Sequence, residues 1–279
     1  MVNRLACYIL AKWKFHDYIP QPVNFTTVTA WIDQFPLSDQ KYLFTLLRHV
    51  TYINSKQTLR IVCDLNRQLL KQLAKEGIPP SKVIYVQVDD AGSSSHWMLA
   101  LLKHTERLEN LGCTFLDSKN VRGLNEATTR LEGGAIVYVD DFAGSGNQFC
   151  RSRDFAIAHT VGNFVEFFLL PCVCEEAMLQ LQERGVEPRA RFIHSKKDRL
   201  LDAEANICPI QVKERLLKLS AQIDAKFGLG YRNLGSMVIL SRNSPNSTPL
   251  LLRGNKNQKP FLGILPRTTD LPPVPHYVR

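Results

Sequence analysis

The sequence lacks long hydrophobic runs. Of its 279 residues, 44% are hydrophobic, yet no apolar stretch approaches the ~20 residues that a membrane-spanning helix needs. Residues 1–14 carry scattered charges and no uninterrupted apolar block, so we expect no secretory signal. The composition is otherwise that of an ordinary globular protein. We therefore expect a folded cytoplasmic protein that does not contact a membrane.

Cysteine is present in a number and spacing that give little support to a disulfide framework or a zinc site. The chain has seven cysteines, an odd number, and only Cys172 and Cys174 lie close together. This pair has no second pair at the spacing of a zinc site. We interpret the cysteines as reduced thiols of a cytoplasmic protein.

Negative charge is in deficit. The chain has 35 Lys and Arg residues against 26 Asp and Glu residues, which gives a formal net charge of +9. This balance suits a polyanionic partner, which leaves nucleic acid, a phosphate-rich ligand and an acidic protein all open. Few aromatic residues are interleaved with the basic ones, which weakens the case for base stacking.

Hydrophobic periodicity divides the chain into three parts. Up to residue 80 the apolar residues recur at helical spacing, which predicts a packed helical elaboration, or alternatively a separate DNA-binding unit. Beyond it, short apolar runs alternate with helical patterns, which predicts an α/β domain over residues 81–267 with a mostly parallel sheet flanked by helices. An extended tail is expected over residues 268–279. The predicted strands are residues 83–88, 113–116, 136–139, 164–170, 190–194 and 237–240.

One predicted strand ends in two adjacent acids. After residues 136–139 come Asp140 and Asp141, and then a turn of small residues. Ligands of doubly wound sheets lie at the carboxyl ends of strands. Backbone N–H groups of such a turn suit a phosphate, while carboxylates accept hydrogen bonds from sugar hydroxyls or hold a Mg²⁺ ion that a phosphate shares. The alternative is an ordinary strand-to-helix turn with an acidic N-cap.

Two common phosphate-binding motifs do not fit this turn. A Walker loop requires a lysine directly after its second glycine, and Asn147 follows Gly146 here. A dinucleotide fingerprint requires glycine or alanine where this chain has Phe149.

Residues 136–148 resemble the phosphoribosyl diphosphate signature of the type I phosphoribosyltransferases, in which an apolar strand leads to two acids and a Thr/Gly-rich loop. The resemblance implies that Asp140 and Asp141 are the catalytic pair that contacts the ribose hydroxyls, and that they hold Mg²⁺ indirectly through the ligand. It also implies a 5′-phosphate site formed by Ala143, Gly144, Ser145, Gly146, Asn147 and Gln148. In this family the position of Gln148 usually holds a hydroxyl residue.

The diphosphate loop of that family follows the first strand of the sheet, where this chain has residues 89–95. The resemblance implies that the diphosphate contacts Gly92, Ser93, Ser94 and Ser95. His96 begins the next helix and is a candidate donor or base, or else a capping or packing residue. Asp89 and Asp90 depart from the pattern, because two acids repel a diphosphate unless a cation intervenes.

The C-terminal part resembles the conflict-effector phosphoribosyltransferase-like proteins, which accompany bacterial antiviral systems that include some retrons. The resemblance covers roughly residues 36–267 and implies a C-terminal hood-like segment. It is carried by residues 230–235, 237–240, 243–248 and 265–267. Residues 243–248, rich in Asn, Ser and Pro, are either a lip of the ligand pocket or a surface turn.

Residues 184–199 are rich in arginine and lysine. Lys196 and Lys197 follow a predicted strand, so they are candidate ligand-binding residues that neutralise a diphosphate leaving group. The alternatives are a solvated basic loop and a surface that binds nucleic acid or a protein partner.

These observations lead to two hypotheses. The first is an effector of a bacterial antiviral system that binds phosphoribosyl diphosphate or a related nucleotide with Mg²⁺ and transfers a glycosyl or phosphoribosyl group. The second is a non-catalytic subunit on the same fold that senses a nucleotide, or binds nucleic acid or a protein partner of a defence complex.

Overall fold

The computed structural model describes residues 4–88, 93–255 and 260–271. The chain forms two compact units, one made of Met1–Ser55 with His194–Arg279 and the other of Lys56–Ile193. We call them the composite unit and the sheet unit. The chain thus leaves the composite unit after residue 55 and returns at residue 194, whereas the domain boundaries at residues 80 and 267 stay predictions.

The helices and strands follow the predicted alternation closely. The α-helices of the described ranges are α1 (Arg4–Lys14), α2 (Phe25–Ile32), α3 (Gln40–His49), α4 (Ser55–Lys75), α5 (Ser94–Thr105), α6 (Val121–Leu131), α7 (Asn147–Ile157), α8 (Glu175–Gln182), α9 (Ile210–Ile223) and α10 (Leu250–Arg253). The strands are β1 (Thr51–Ile53), β2 (Val83–Gln87), β3 (Thr114–Asp117), β4 (Gly134–Val139), β5 (Phe142–Ala143), β6 (Phe164–Cys174), β7 (Val186–His194), β8 (Val238–Leu240), β9 (Gly254–Asn255) and β10 (Phe261–Leu262). Across the described ranges, no helix is both long and apolar enough to cross a membrane.

A mostly parallel sheet lies at the centre of the sheet unit. Its strand order is β3-β2-β4-β6-β5, and β7 also pairs with β6. The pairs β2–β3, β2–β4, β4–β6 and β5–β6 are all parallel. This arrangement confirms the predicted α/β class with a mostly parallel sheet flanked by helices.

The central strand β4 explains why these apolar runs form a sheet with two covered faces. Successive strand residues point to opposite faces, and here Ile136 and Tyr138 join one hydrophobic cluster while Val137 and Val139 join another. All four are buried. A near-continuous apolar run is typical of a parallel strand with helices on both sides.

The composite unit has its own hydrophobic core. Its helices bury large side chains, among them Trp31, which is fully buried and donates a hydrogen bond from Nε1 to the carbonyl oxygen of Leu251 at 2.8 Å. The predicted strand at residues 237–240 is present as β8, but it pairs in parallel with β1 in a separate two-stranded sheet. Periodicity alone cannot predict this partner, because β1 has only three residues and lies far away in the chain.

Candidate functional site

The candidate site lies at the carboxyl edge of the central sheet. Strands β3, β2 and β4 are parallel neighbours, with Gln87 opposite Asp117 and Val86 opposite Tyr138. The segments that follow these strands therefore leave the sheet at the same edge. This is the edge at which open α/β sheets bind ligands.

Asp140 and Asp141 follow β4 directly and are both half-buried. The Asp140 amide extends the strand pairing by donating to the carbonyl oxygen of Leu169 at 3.2 Å. One Asp140 carboxylate oxygen accepts a hydrogen bond from the Asp141 amide at 2.8 Å. Neither acid is the N-cap of the next helix, because that position is held by Gly146. The pair is thus held at the strand end by the backbone and not by a helix cap.

The predicted phosphate loop runs from β5 into α7. Within it, Gly146 has φ +75° and caps α7 without a side-chain hydrogen bond, and Gln148, the last residue of the predicted loop, is exposed in the first turn of α7. The first-turn amides of a helix carry partial positive charge and favour an anion. Ala143 is buried in the core, Gly144 and Ser145 are half-buried, and Asn147 accepts a hydrogen bond from Gln180 at 3.2 Å.

Gly146 is favoured mainly by its backbone angle, and the Gln180 side chain would have to move to admit a larger residue. A Cβ atom added there would lie 2.7 Å from Oε1 of Gln180 and 3.4 Å from Cα of Ala177, both on α8. A left-handed φ is also costly for residues other than glycine. The left-handed backbone therefore accounts for glycine at this position, whether or not a phosphate approaches it.

The second predicted loop starts after β2. Asp89, Asp90 and Gly92 lie outside the described residues. Ser93 is the N-cap of α5, and its hydroxyl accepts a hydrogen bond from the His96 amide at 3.2 Å. Ser94 is half-buried. Ser95 is fully buried, and its hydroxyl accepts a hydrogen bond from the Val88 amide at 3.4 Å. Ser95 therefore holds the end of β2 and does not face solvent.

His96 is exposed at the start of α5 and pairs with Gln87, a residue that the sequence did not single out. The distance from Nδ1 of His96 to Oε1 of Gln87 is 2.8 Å. Because an amide oxygen only accepts, Nδ1 is the donor in this assignment. In the neutral ring the second nitrogen, Nε2, is then the one available as an acceptor.

The basic segment belongs largely to local ion pairs. Lys196 and Lys197 lie in the composite unit, on the short helical turn Lys196–Asp198. Lys196 pairs with Glu204 at 3.0 Å, whereas Lys197 is exposed. Other cations of the segment have protein partners in the structure: Arg184 with Asp154, Arg189 with Glu187, and Arg199 with the carbonyl oxygen of His194. Half of the six cations in the segment therefore pair with a carboxylate within the protein.

Sequence reasoning missed the residues that hold α7 in place. Glu166 lies in the middle of β6 and is buried, where it accepts hydrogen bonds from Arg153 of α7 and from Tyr138 of β4. Burial raises the pKa of Tyr138 well above its usual value, and the Glu166 charge adds to this effect. The sequence did contain a signal for this contact, because Glu166 is an acid inside a predicted strand that is otherwise apolar.

The acid pair fits one mode of Mg²⁺ binding and not another. Among the described residues no group of three or more His, Cys, Asp or Glu side chains could hold a metal ion. Mg²⁺ commonly takes one or two protein carboxylates and completes its shell with water and ligand phosphate oxygens. Asp140 and Asp141 suit that shared mode, and not a cage built from protein ligands alone.

Comparisons with known proteins give one family. A solved orotate phosphoribosyltransferase from Aeropyrum pernix is similar over 48% of this chain and 70% of its own, with 16% identity and a TM-score of 0.31. Comparison with curated proteins returned no match. Residues 28–267 match the family model PRTase-CE. The chain therefore belongs to the PRTase-CE family, the conflict-effector phosphoribosyltransferase-like proteins.

Proposed function

We propose that the protein binds phosphoribosyl diphosphate, or a related nucleotide, at the carboxyl edge of its central sheet and transfers a glycosyl or phosphoribosyl group. The observation that carries this proposal is the position of Asp140 and Asp141 at the end of the central strand, directly before a small-residue loop that opens α7. Membership of the PRTase-CE family supports it.

Each part of the edge has a role in this proposal. Asp140 and Asp141 accept hydrogen bonds from the ribose hydroxyls, and residues 144–148 bind the 5′-phosphate. Ser93 and Ser94, with the first amides of α5, donate hydrogen bonds to the diphosphate as it leaves. A site that stabilises charge developing on a leaving group lowers the barrier to transfer. Bound Mg²⁺ would supply further positive charge at the diphosphate, held through Asp140, Asp141 and ligand oxygens.

The direct test measures binding and turnover separately. Isothermal titration with phosphoribosyl diphosphate and Mg²⁺ reports binding, and an assay for released diphosphate reports chemistry. Diphosphate release that requires the carboxylates of both Asp140 and Asp141 supports an enzymatic function. A protein that neither binds phosphoribosyl diphosphate nor releases diphosphate contradicts the proposal.

The biological setting in this proposal is bacterial antiviral defence, with the protein as the effector, as in retron systems. The support is the conflict-effector family to which the chain belongs. Bacteria that carry the complete system are challenged with phage, with and without the change of Asp140 and Asp141 to Asn. Equal survival of both strains would contradict a defence role that depends on this site.

A second candidate function is a non-catalytic subunit that senses a nucleotide. Two observations favour it: one oxygen of Asp140 is engaged by the Asp141 amide, and the Ser95 hydroxyl is turned into the protein. Both observations reduce the number of polar groups that can form hydrogen bonds to a ligand as it reacts. Binding of phosphoribosyl diphosphate without diphosphate release supports this candidate over the enzyme.

The basic segment provides a separate test of a nucleic-acid or protein partner. The double change Lys196→Gln/Lys197→Gln removes two positive charges from one turn. If the turn contacts nucleic acid, affinity for a single-stranded oligonucleotide falls, and its dependence on log salt becomes shallower by roughly one unit per lost phosphate contact. If the turn serves a small ligand, nucleotide binding weakens instead. If the affinity for neither ligand changes, the turn is only a solvated loop.

A further inference from the structure

The C-terminal segment of the composite unit concentrates buried polar atoms that lack a hydrogen-bond partner. Within the described ranges these atoms include Ser247 Oγ, Thr248 Oγ1, Arg253 Nε, Arg267 Nε and Asp270 Oδ2. Such atoms are few in folded proteins, and each calls for an explanation such as a bound ion, water or ligand. Three of the five belong to charged side chains, Arg253, Arg267 and Asp270, and we call these three residues the arginine cluster.

Backbone contacts fix the arginine cluster in place. The Asp270 amide donates to the carbonyl oxygen of Arg267 at 2.9 Å, which closes the short turn that carries both side chains. The Thr268 amide donates to the side chain of Asn243 at 3.2 Å and so fastens this turn to the polar segment 243–248. Arg253 reaches the same segment, because its Nη1 donates to the carbonyl oxygen of Asn246 at 3.0 Å.

Positive charge is in excess within the cluster. Arg253 Nε lies 3.5 Å from Asp270 Oδ2, so these two form an ion pair, but neither atom makes a hydrogen bond. Burial, together with the nearby charge of Arg267, lowers the pKa of Arg253, while Asp270 acts in the opposite direction. Guanidinium groups stay charged at any physiological pH, so the charges of Arg253 and Arg267 act on each other, and only Arg253 forms an ion pair with the single carboxylate of the cluster.

The cluster is accessible from solvent. The Arg253 and Asp270 side chains are 17% and 25% exposed, and the neighbouring Asn246 and Thr268 are exposed. Guanidinium groups bind phosphate oxygens through paired, charge-assisted hydrogen bonds, which are stronger than neutral ones. We propose that Arg253 and Arg267 form a phosphate-binding site, at which the Asp270 carboxylate competes with the phosphate for the guanidinium groups.

The residues of this site and those of the proposed phosphoribosyl site belong to different units. Arg253, Arg267 and Asp270 belong to the composite unit, and Asp140 and Asp141 to the sheet unit. The phosphate comes either from a free inorganic anion or from a nucleotide, and both present the same oxygens to the arginines. The polar segment 243–248 and Arg267, which carry part of the family resemblance, thereby gain a chemical role.

A purely structural ion pair predicts a different response to mutation. If Asp270 only holds Arg253 in place, its loss lowers stability and creates no affinity for phosphate. If Asp270 competes with phosphate, its loss raises the affinity. Whether Asp270→Asn raises the phosphate affinity or does not therefore separates the two interpretations.

The experiment is isothermal titration of the full chain with inorganic phosphate and, separately, with adenosine monophosphate. Arg267→Gln should weaken the phosphate affinity by roughly tenfold or more, the equivalent of one charge-assisted hydrogen bond. Asp270→Asn should strengthen it. Lys226→Gln removes an exposed cation of the same unit, whose ammonium lies over the Phe227 ring, and should change nothing. The Arg267-dependent binding should persist when Asp140 and Asp141 are changed to Asn.

Each outcome either supports or overturns the proposed phosphate site. Equal affinity for phosphate and adenosine monophosphate assigns the site to the phosphate group alone, whereas tighter nucleotide binding adds contacts to the nucleoside. The proposal is overturned if the parent protein binds neither probe, if Arg267→Gln binds like the parent, or if Asp270→Asn weakens binding. Circular dichroism verifies the fold of each variant. Should Arg267→Gln unfold, Arg267→Lys, which keeps the charge but loses the paired geometry, replaces it in the same comparison.

Discussion

Arg153 donates two hydrogen bonds to the carboxylate of Glu166, and this buried pair joins helix α7 to strand β6. The bond from Nε of Arg153 to Oε2 of Glu166 measures 2.8 Å, and Nη2 reaches the other oxygen. Tyr138 of β4 donates to the same carboxylate at 2.9 Å. Since α7 begins directly after Gly146, these contacts set the direction of the helix that opens the candidate phosphate loop.

We predict that Glu166→Gln destabilises the protein strongly. The change keeps the size of the side chain but removes the buried carboxylate from the Arg153 guanidinium, which is only 14% exposed, and leaves it only the half-exposed Asp154 as a counter-charge. Breaking a buried ion pair from one side costs on the order of 3 kcal/mol, which urea denaturation measures. Glu126→Gln is the matched control, because Glu126 pairs with Arg122 at the surface and such pairs contribute at most about 1 kcal/mol. Equal losses in both variants would contradict a positioning role for Glu166.

The acid pair is predicted to contribute to function and not to stability. Changing Asp140 and Asp141 to Asn retains their size and removes both charges. We expect lost affinity for phosphoribosyl diphosphate, or lost activity, with little change in melting temperature. Asp64→Asn, on the exposed face of α4, is the control for a lost aspartate charge. A large fall in melting temperature with unchanged ligand binding would instead assign the pair to a structural role.

Gly146 permits a test that separates backbone strain from steric conflict. Gly146→Val should be severe, because it places a branched side chain at a left-handed φ and against Gln180; the φ alone costs roughly 1–2 kcal/mol. Ser145→Ala should only reduce affinity in part, since it removes one donor. Adding Gln180→Ala to Gly146→Ala relieves the contact but not the strain. Full recovery of stability in that double variant, measured by thermal unfolding, would show that strain is unimportant.

The pH dependence of stability should include a contribution from Asp39. Its buried carboxylate accepts hydrogen bonds from Arg215, and these lower its pKa below the ordinary value. A lowered pKa means that the contribution to stability is present above the unfolded pKa of about 3.9 and is lost as the pH falls through the folded value. Asp39→Asn should therefore flatten the decline of unfolding free energy in acid. Asp33→Asn, which removes an exposed aspartate paired with Arg4, is the control for the loss of a carboxylate.

The strand–acid–loop order was predictable from the sequence for a local reason. The apolar run of β4, the two acids and the small-residue turn are consecutive, so their order along the chain is also their order in space. The start of α7 at Asn147 follows from the same local rules, whereas α5 begins at Ser94, two residues before the predicted start at His96. Membership of the PRTase-CE family was likewise readable from short motifs.

Other features depended on contacts that the local sequence pattern does not reveal. Ser95 resembled a ligand donor in sequence, yet the helical turn that follows Ser93 carries its hydroxyl inward to Val88. The cations of residues 184–199 resembled a basic surface, yet Lys196 meets Glu204 and Arg184 meets Asp154. Charge counting cannot detect such compensation, because it depends on which side chains the fold brings together.

The sequence by itself determined the α/β class and the location of the acid pair, because hydrophobic period and turn chemistry act over a few residues. Only the tertiary structure decided which strand accompanies β8, that Glu166 anchors Arg153, and that Asp270 pairs with Arg253. These are contacts between segments far apart in the chain. They form because buried polar groups must find partners, and the fold determines which partners are within reach.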